Sequence, residues 1–184
     1  MADSIRPFYA DWAGLNRRIT RGVARLPPDV LALEADNANH WPVWAIAAHM
    51  AGVRVFWLCD VFGEPGAELT PFAGPDTPGW EDDLDRPRSG AELAQALTST
   101  WQIVEGCLRR WTPAMLGEVV RRQEPGRLEL HTRQSILLRM ITHDGYHLGE
   151  INTALVAGGA EPIDPWPGPE WEPGAPVELR EGRT

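Results

Sequence analysis

The chain contains no lysine: all 17 of its basic residues are arginine, set against 26 Asp and Glu. The resulting formal charge of −9 at pI ≈ 5.0 repels polyphosphate and anionic headgroups. Duplex nucleic acid and the membrane surface are therefore excluded as first-choice partners. Cysteine is nearly absent, with only Cys59 and Cys107, and no C-x-x-C spacing suggests a redox pair. Both thiols fall in helical-looking segments and read as small buried hydrophobes. The N-terminus, MADSIRPFYADW, lacks the apolar run of a secretory signal, so a reducing cytoplasm is the expected setting. No repeat of fixed period and no low-complexity tract points to another class.

Long apolar runs are also scarce. The one candidate, Trp41 to Cys59, carries Pro42, His49 and Arg54 and meets Asp60 directly after it. A mid-bilayer arginine costs at least ~2.5 kcal/mol, which favours a buried helix of a soluble protein over a membrane span. Tryptophan, by contrast, is abundant at nine residues, and rings of that size need a deep core or a pocket wall.

Four segments of the 184 residues carry helical pattern, which suits one domain over 1–184. The first runs from about Pro7 to Leu26 and stops at Pro27-Pro28. The second runs from Trp41–Trp44 to Phe62-Gly63, apolar nearly all round, with Arg54 as its outward marker. The third opens at Ser89-Gly90-Ala91-Glu92 and continues to Trp111. The fourth follows Thr132, a good N-cap, and reaches Val156-Ala157 before Gly158-Gly159. Gly63 to Gly90 is a long loop with five prolines and an acidic run, Glu81-Asp82-Asp83, and reads as a lid or an insertion. Glu118 to Leu130 hints weakly at a hairpin around Pro125-Gly126. A Pro-rich tail occupies about 160–184, with Trp166 and Trp171 as expected packing anchors. The fold class predicted is all-α, a four-helix bundle.

Histidine supplies the chemistry. His143 and His147 stand four apart in HDGYH, and at about 100° per residue their directions differ by about 40°. Leu137, Met140, Ile141, Leu148, Ile151 and Leu155 form the neighbouring apolar arc, so both imidazoles face the interior or its mouth. His49 lies midway along the second helix, where burial demands a partner for it, and Val53, Phe56 and Asp60 share its face. Taken singly, His49 reads as a hydrogen-bonded core residue and the i,i+4 pair equally as an ordinary helix face. Taken together, the three make a catalytic-type metal site with an open position. Zinc is the default, although imidazole also suits Ni, Fe, Co and Cu.

Other polar residues have plainer readings. His40 and His131 sit at helix starts and suit loop or capping roles. Asp144 falls in the apolar arc, either orienting an imidazole or, as preferred, tied to an Arg or Tyr of the first helix. Glu150, on the flank of His147 with Arg139, is a general base, a fourth ligand or, as preferred, a solvated residue. HDGYH differs from the zincin H-E-x-x-H in its shorter Asp144 and has no third ligand soon after it, which disfavours a protease.

WPVWAIAAHMAGV, a long loop and HDGYHLGEI together resemble the DinB/YfiT-like family, whose members are read as metal-dependent enzymes. The resemblance covers most of residues 7–165, with its sharp motifs in two short segments. It implies a four-helix bundle, a divalent ion on His49, His143 and His147, with Zn or Ni favoured, and a homodimer. It implies a small-molecule substrate and, foremost, a transferase using a low-molecular-weight bacterial thiol such as bacillithiol or mycothiol as co-substrate. A hydrolase with an activated water is the alternative, and a non-catalytic, metal-stabilised binding module the third. Relatives often carry Gln at the place of Glu150, so that residue's role does not follow from the resemblance, and no catalytic residue is assigned.

Overall fold

The computed structural model describes residues 4–36, 40–73 and 83–166. A 3-10 turn, Arg6–Tyr9, leads into helix α1, Ala10–Ala24. Proline ends α1 as expected, and Pro28 itself opens the short helix α2, Pro28–Leu31, since its fixed φ suits the first helical position. Helix α3, Val43–Val55, starts behind Pro42 and passes into a π-helical stretch, Phe56–Val61. Helix α4, Gly90–Arg110, is opened by a capping box in which Ser89 and Glu92 bond each other's backbone amides. Helix α5, Arg133–Ala157, opens the same way, with Thr132 and Ser135 as the reciprocal pair.

The chain is mostly helical, but not wholly. Strands β1, Val119–Glu124, and β2, Arg127–Thr132, pair antiparallel, with Arg122 opposite Glu129. The turn rests on Gly126 at φ +79°, a conformation that glycine adopts without strain. The all-α expectation is corrected on this point. The alternation was short and set among charged residues, so its pattern was faint. Here a cross-strand ion pair supports it: Glu129 of β2 binds Arg122 of β1, and Arg127 on its own strand pairs with it as well.

Helix α3 is the centre of the molecule. It packs against α4 and α5, while α1 packs on α4. Val43, Ala45, Ile46, Ala47, Ala48, Met50 and Ala51 are all buried, as a helix apolar all round must be. Val43–Val61 is long and apolar enough to cross a membrane, yet 72% of its window is buried inside the protein. That burial identifies it as a core helix.

Arg54 reverses the expectation made for it. The sequence reading set it outward, and it is fully buried at 0% exposure. Its guanidinium donates to Asn16 Oδ1 at 2.8 Å, to the Leu97 carbonyl at 3.3 Å and to Asp144 Oδ2 at 3.1 Å. A charge can sit there because acceptors from α1, α4 and α5 converge on it.

Of the loop between α3 and α4, residues 74–82 lie outside the described residues, and Glu81 and Asp82 of the acidic run fall among them. Asp83 pairs with the buried Arg88 at 2.7 Å, and Ala67–Leu69 forms a single 3-10 turn. The tail anchors also need correction. Trp166 is 73% exposed, and Trp171 lies outside the described residues. Ile163 is the anchor instead, buried against Gly22 of α1 with its backbone N–H and C=O both bonded to Asn152.

Candidate metal centre

The site is built from two helices. His49 projects from α3, which carries little choice of orientation because its other faces are already committed to the core. His143 and His147 project from α5, one turn apart. The three Nε2 atoms converge: His49 to His143 is 3.0 Å, and His143 to His147 is 3.0 Å. A tetrahedral ion with bonds of 2.0–2.1 Å would set such nitrogens about 3.3 Å apart. The spacing predicted from α5 and the convergence of His49 on it are thus both present, and this cluster could hold a metal ion.

Burial favours the neutral form of the two α5 imidazoles. Burial, reinforced by His147 and His49, pushes His143 down to about 3. Burial also lowers His147, against the opposing pull of Glu150. Neutral rings present lone pairs, which is the form a metal requires.

Glu150 is the residue that the sequence reading misjudged. It is not a solvated flank residue: its carboxylate accepts from His147 Nδ1 at 2.6 Å, with both side chains only 13% exposed. An ionised carboxylate only accepts, so the proton is on Nδ1 and the lone pair of His147 is on Nε2. His143 Nε2 carries at most one hydrogen, so it cannot donate to both of its neighbours at once. A cation among the three nitrogens removes that conflict, and the donor set fits one.

Asp144 takes no part in this cluster. It accepts from Trp12 Nε1 at 2.8 Å and from Arg54, so the expected internal tie is present with other partners. The first helix supplies a tryptophan where an Arg or Tyr was expected, and α3 supplies the arginine. His131 lies apart from the cluster, bonded to Glu129 and packed edge-on against Trp57. His40 stands before α3 at φ +49°. Cys59 and Cys107 are both free, and burial pushes the Cys59 thiol up to about 11 and that of Cys107 higher still.

A cleft of about 800 Å³ opens onto His49 and His143. Val53, Phe56 and Trp57 form an apolar wall, with Arg122, Arg139, Thr142 and Tyr146 at the rim. Val53 and Phe56 follow His49 at helical spacing, as expected. Asp60, assigned to the same face, is exposed and lies outside the lining because the π-helical turn shifts the phase by one residue. Trp57 and Arg122 were not foreseen as site residues. The surplus of tryptophan was the signal for the first, and the weak hairpin pattern hid the second. Arg122 stacks over Phe56 at 4.9 Å and is held by Glu124 and Glu129.

Comparison with known proteins agrees with this architecture. The family model described as the DinB superfamily matches residues 14–151, which include all three histidines. Among solved structures, a crystal structure of a DinB-like protein from Bacillus cereus ATCC 10987 is similar, with a TM-score of 0.65 at 18% identity. The match covers 91% of this chain and 99% of that one. No curated protein matches at a significant level.

Proposed function

This chain belongs to the DinB superfamily, and on that premise we propose that it is a metal-dependent transferase of a small thiol, with His49, His143 and His147 as the ligands. The observation that carries the metal assignment is the 2.6 Å bond from His147 Nδ1 to Glu150, which aims a lone pair at the other two imidazoles. A divalent ion held there supplies Lewis acidity that lowers the pKa of a bound thiol, and Zn or Ni suits three imidazoles.

The rest of the chain prepares that chemistry. Val53, Phe56 and Trp57 exclude water from one side of the cleft, which favours a soft nucleophile over hydroxide. The thiol must come from outside, because Cys59 and Cys107 are held protonated by burial and neither lines the cleft. In the reaction the sulfur forms a bond to an electrophilic carbon, the leaving group departs with its electron pair, and the thiol proton passes to solvent.

The hydrolase alternative needs a free base near the ion. Glu150 was its candidate, and that carboxylate is engaged with His147. This weighs against hydrolysis. A single domain, a four-helix arrangement, a homodimer and a cytoplasmic setting belong to the same reading.

The test is direct. The zinc- or nickel-loaded protein is incubated with several bacterial thiols and a chlorinated aromatic acceptor, and chloride release is followed. Turnover that needs both thiol and metal, and is lost together with bound metal in His49→Ala, is the expected result. Ester or amide cleavage without any thiol would move the case to the hydrolase. Full metal content in His49→Ala would remove the three-His site itself.

A further inference from the structure

Arg139 stands four residues before His143 on α5, one turn of about 5.4 Å away along the same flank. Its guanidinium carbon lies 4.8 Å from the Trp57 ring centroid, and the side chain borders the cleft onto which His49 and His143 open. Among the described residues no carboxylate pairs with it. The contrast with Arg122, the other arginine at this rim, is informative. Arg122 is neutralised by Glu124 at 2.6 Å and Glu129 at 3.0 Å. In a chain of net charge −9, an arginine left unmatched beside the cleft is poised for an external anion.

We infer that Arg139 is a specificity-determining residue that binds the carboxylate of a small molecule seated in this cleft. The contact with the Trp57 ring is a cation–π one and pairs the guanidinium N–H groups with no carboxylate. That contact also holds the side chain beside the cleft, where its guanidinium offers a carboxylate a two-pronged donor. One unneutralised cation matches a monoanion better than a phosphate dianion. The apolar wall of Val53, Phe56 and Trp57 selects an aromatic or aliphatic body behind that carboxylate. The carboxylate then lies a few bonds from the group that meets the imidazoles. Naming the occupant a substrate rests on the transferase reading above, whereas the carboxylate subsite does not.

Isothermal titration of the full chain, metal-free and zinc-loaded, with phenylacetate, phenylacetamide and phenyl phosphate tests the inference. Phenylacetate is expected to bind saturably to both forms, and the neutral amide at least about tenfold more weakly, as for a charge-assisted pair. Arg139→Gln should weaken phenylacetate by a similar factor, leave the amide unchanged and keep the melting temperature, because the side chain is exposed. Arg139→Lys should restore part of the loss.

Several outcomes would overturn the assignment: equal affinity for acid and amide, no phenylacetate binding at millimolar concentration, full affinity in Arg139→Gln, or tighter binding of phenyl phosphate. Binding that survives Arg139→Gln but needs zinc and disappears in His49→Ala would put the carboxylate on the ion. That result would reject this inference and leave the transferase reading standing. Arg139-dependent binding in a protein that takes up no zinc would do the reverse.

Discussion

Arg54 Nη2 and Asp144 Oδ2 lie 3.1 Å apart in the interior, the first at 0% and the second at 1% side-chain exposure. The pair joins α3 to α5 beside the histidine cluster, five residues along from His49 and one from His143. It therefore fixes the relative register of the two helices whose imidazoles must meet. Arg54→Met leaves a buried carboxylate with only the Trp12 donor, and is expected to cost about 3–5 kcal/mol of stability. The double variant Arg54→Met/Asp144→Leu should cost less than the sum of the two single changes. Urea denaturation of the four proteins measures this, and simple additivity would mean that the pair is not coupled.

Glu150 should act on metal affinity through His147. Glu150→Ala frees the imidazole to take the other tautomer, so metal affinity is expected to fall about 10–100-fold. Competition against a chromophoric chelator reads the change, with circular dichroism as the check on folding. Unaltered affinity would show that the bond to His147 does not orient a ligand.

Acid should destabilise the metal-free protein through the same histidines. Burial holds His143 at about 3 when folded and lowers His147, whereas the unfolded imidazoles return to about 6.5. As pH falls from about 6.5 towards 3, the unfolded chain takes up protons that the folded chain refuses, so stability drops through that window. Above about 6.5 both states are neutral and the contribution is level. Urea midpoints near pH about 7 and about 5 should differ more for the metal-free native sequence than for His143→Gln. Equal differences would exclude His143 as a source of the acid sensitivity.

Gly22 should not accept a side chain. A Cβ added there would sit 2.7 Å from the Ile163 side chain, which the Asn152 bonds hold against α1 and α5. Gly22→Ala is expected to cost about 1–3 kcal/mol by overpacking. Ile163→Ala in the same chain should relieve part of that cost. Thermal melts of the singles and the double check it, and an undisturbed Gly22→Ala protein would mean that the strap gives way freely.

Local chemistry was legible in the amino-acid order. Ser89 with Glu92 and the Thr132 N-cap marked helix starts, proline and glycine marked helix ends, and the spacing of His143 and His147 placed two imidazoles on one flank. All of these depend on residues within a turn or two of each other. They follow from the geometry of a single helix, whatever surrounds it.

What a charged residue meets in space was decided by the fold. Arg54 looked outward because a lone helix gives a guanidinium no reason to be buried. Its acceptors come from Asn16, Leu97 and Asp144, on three other helices. Glu150 looked solvated because sequence distance says nothing of rotamer or shielding, and only packing reduces its exposure to 13% while the bond to His147 forms. The convergence of His49 with a pair 94 residues away is the same kind of fact. Pattern could place each imidazole on an inward face. Only the packing of α3 against α5 could bring their nitrogens to 3.0 Å, because direction is set by one helix and distance by two.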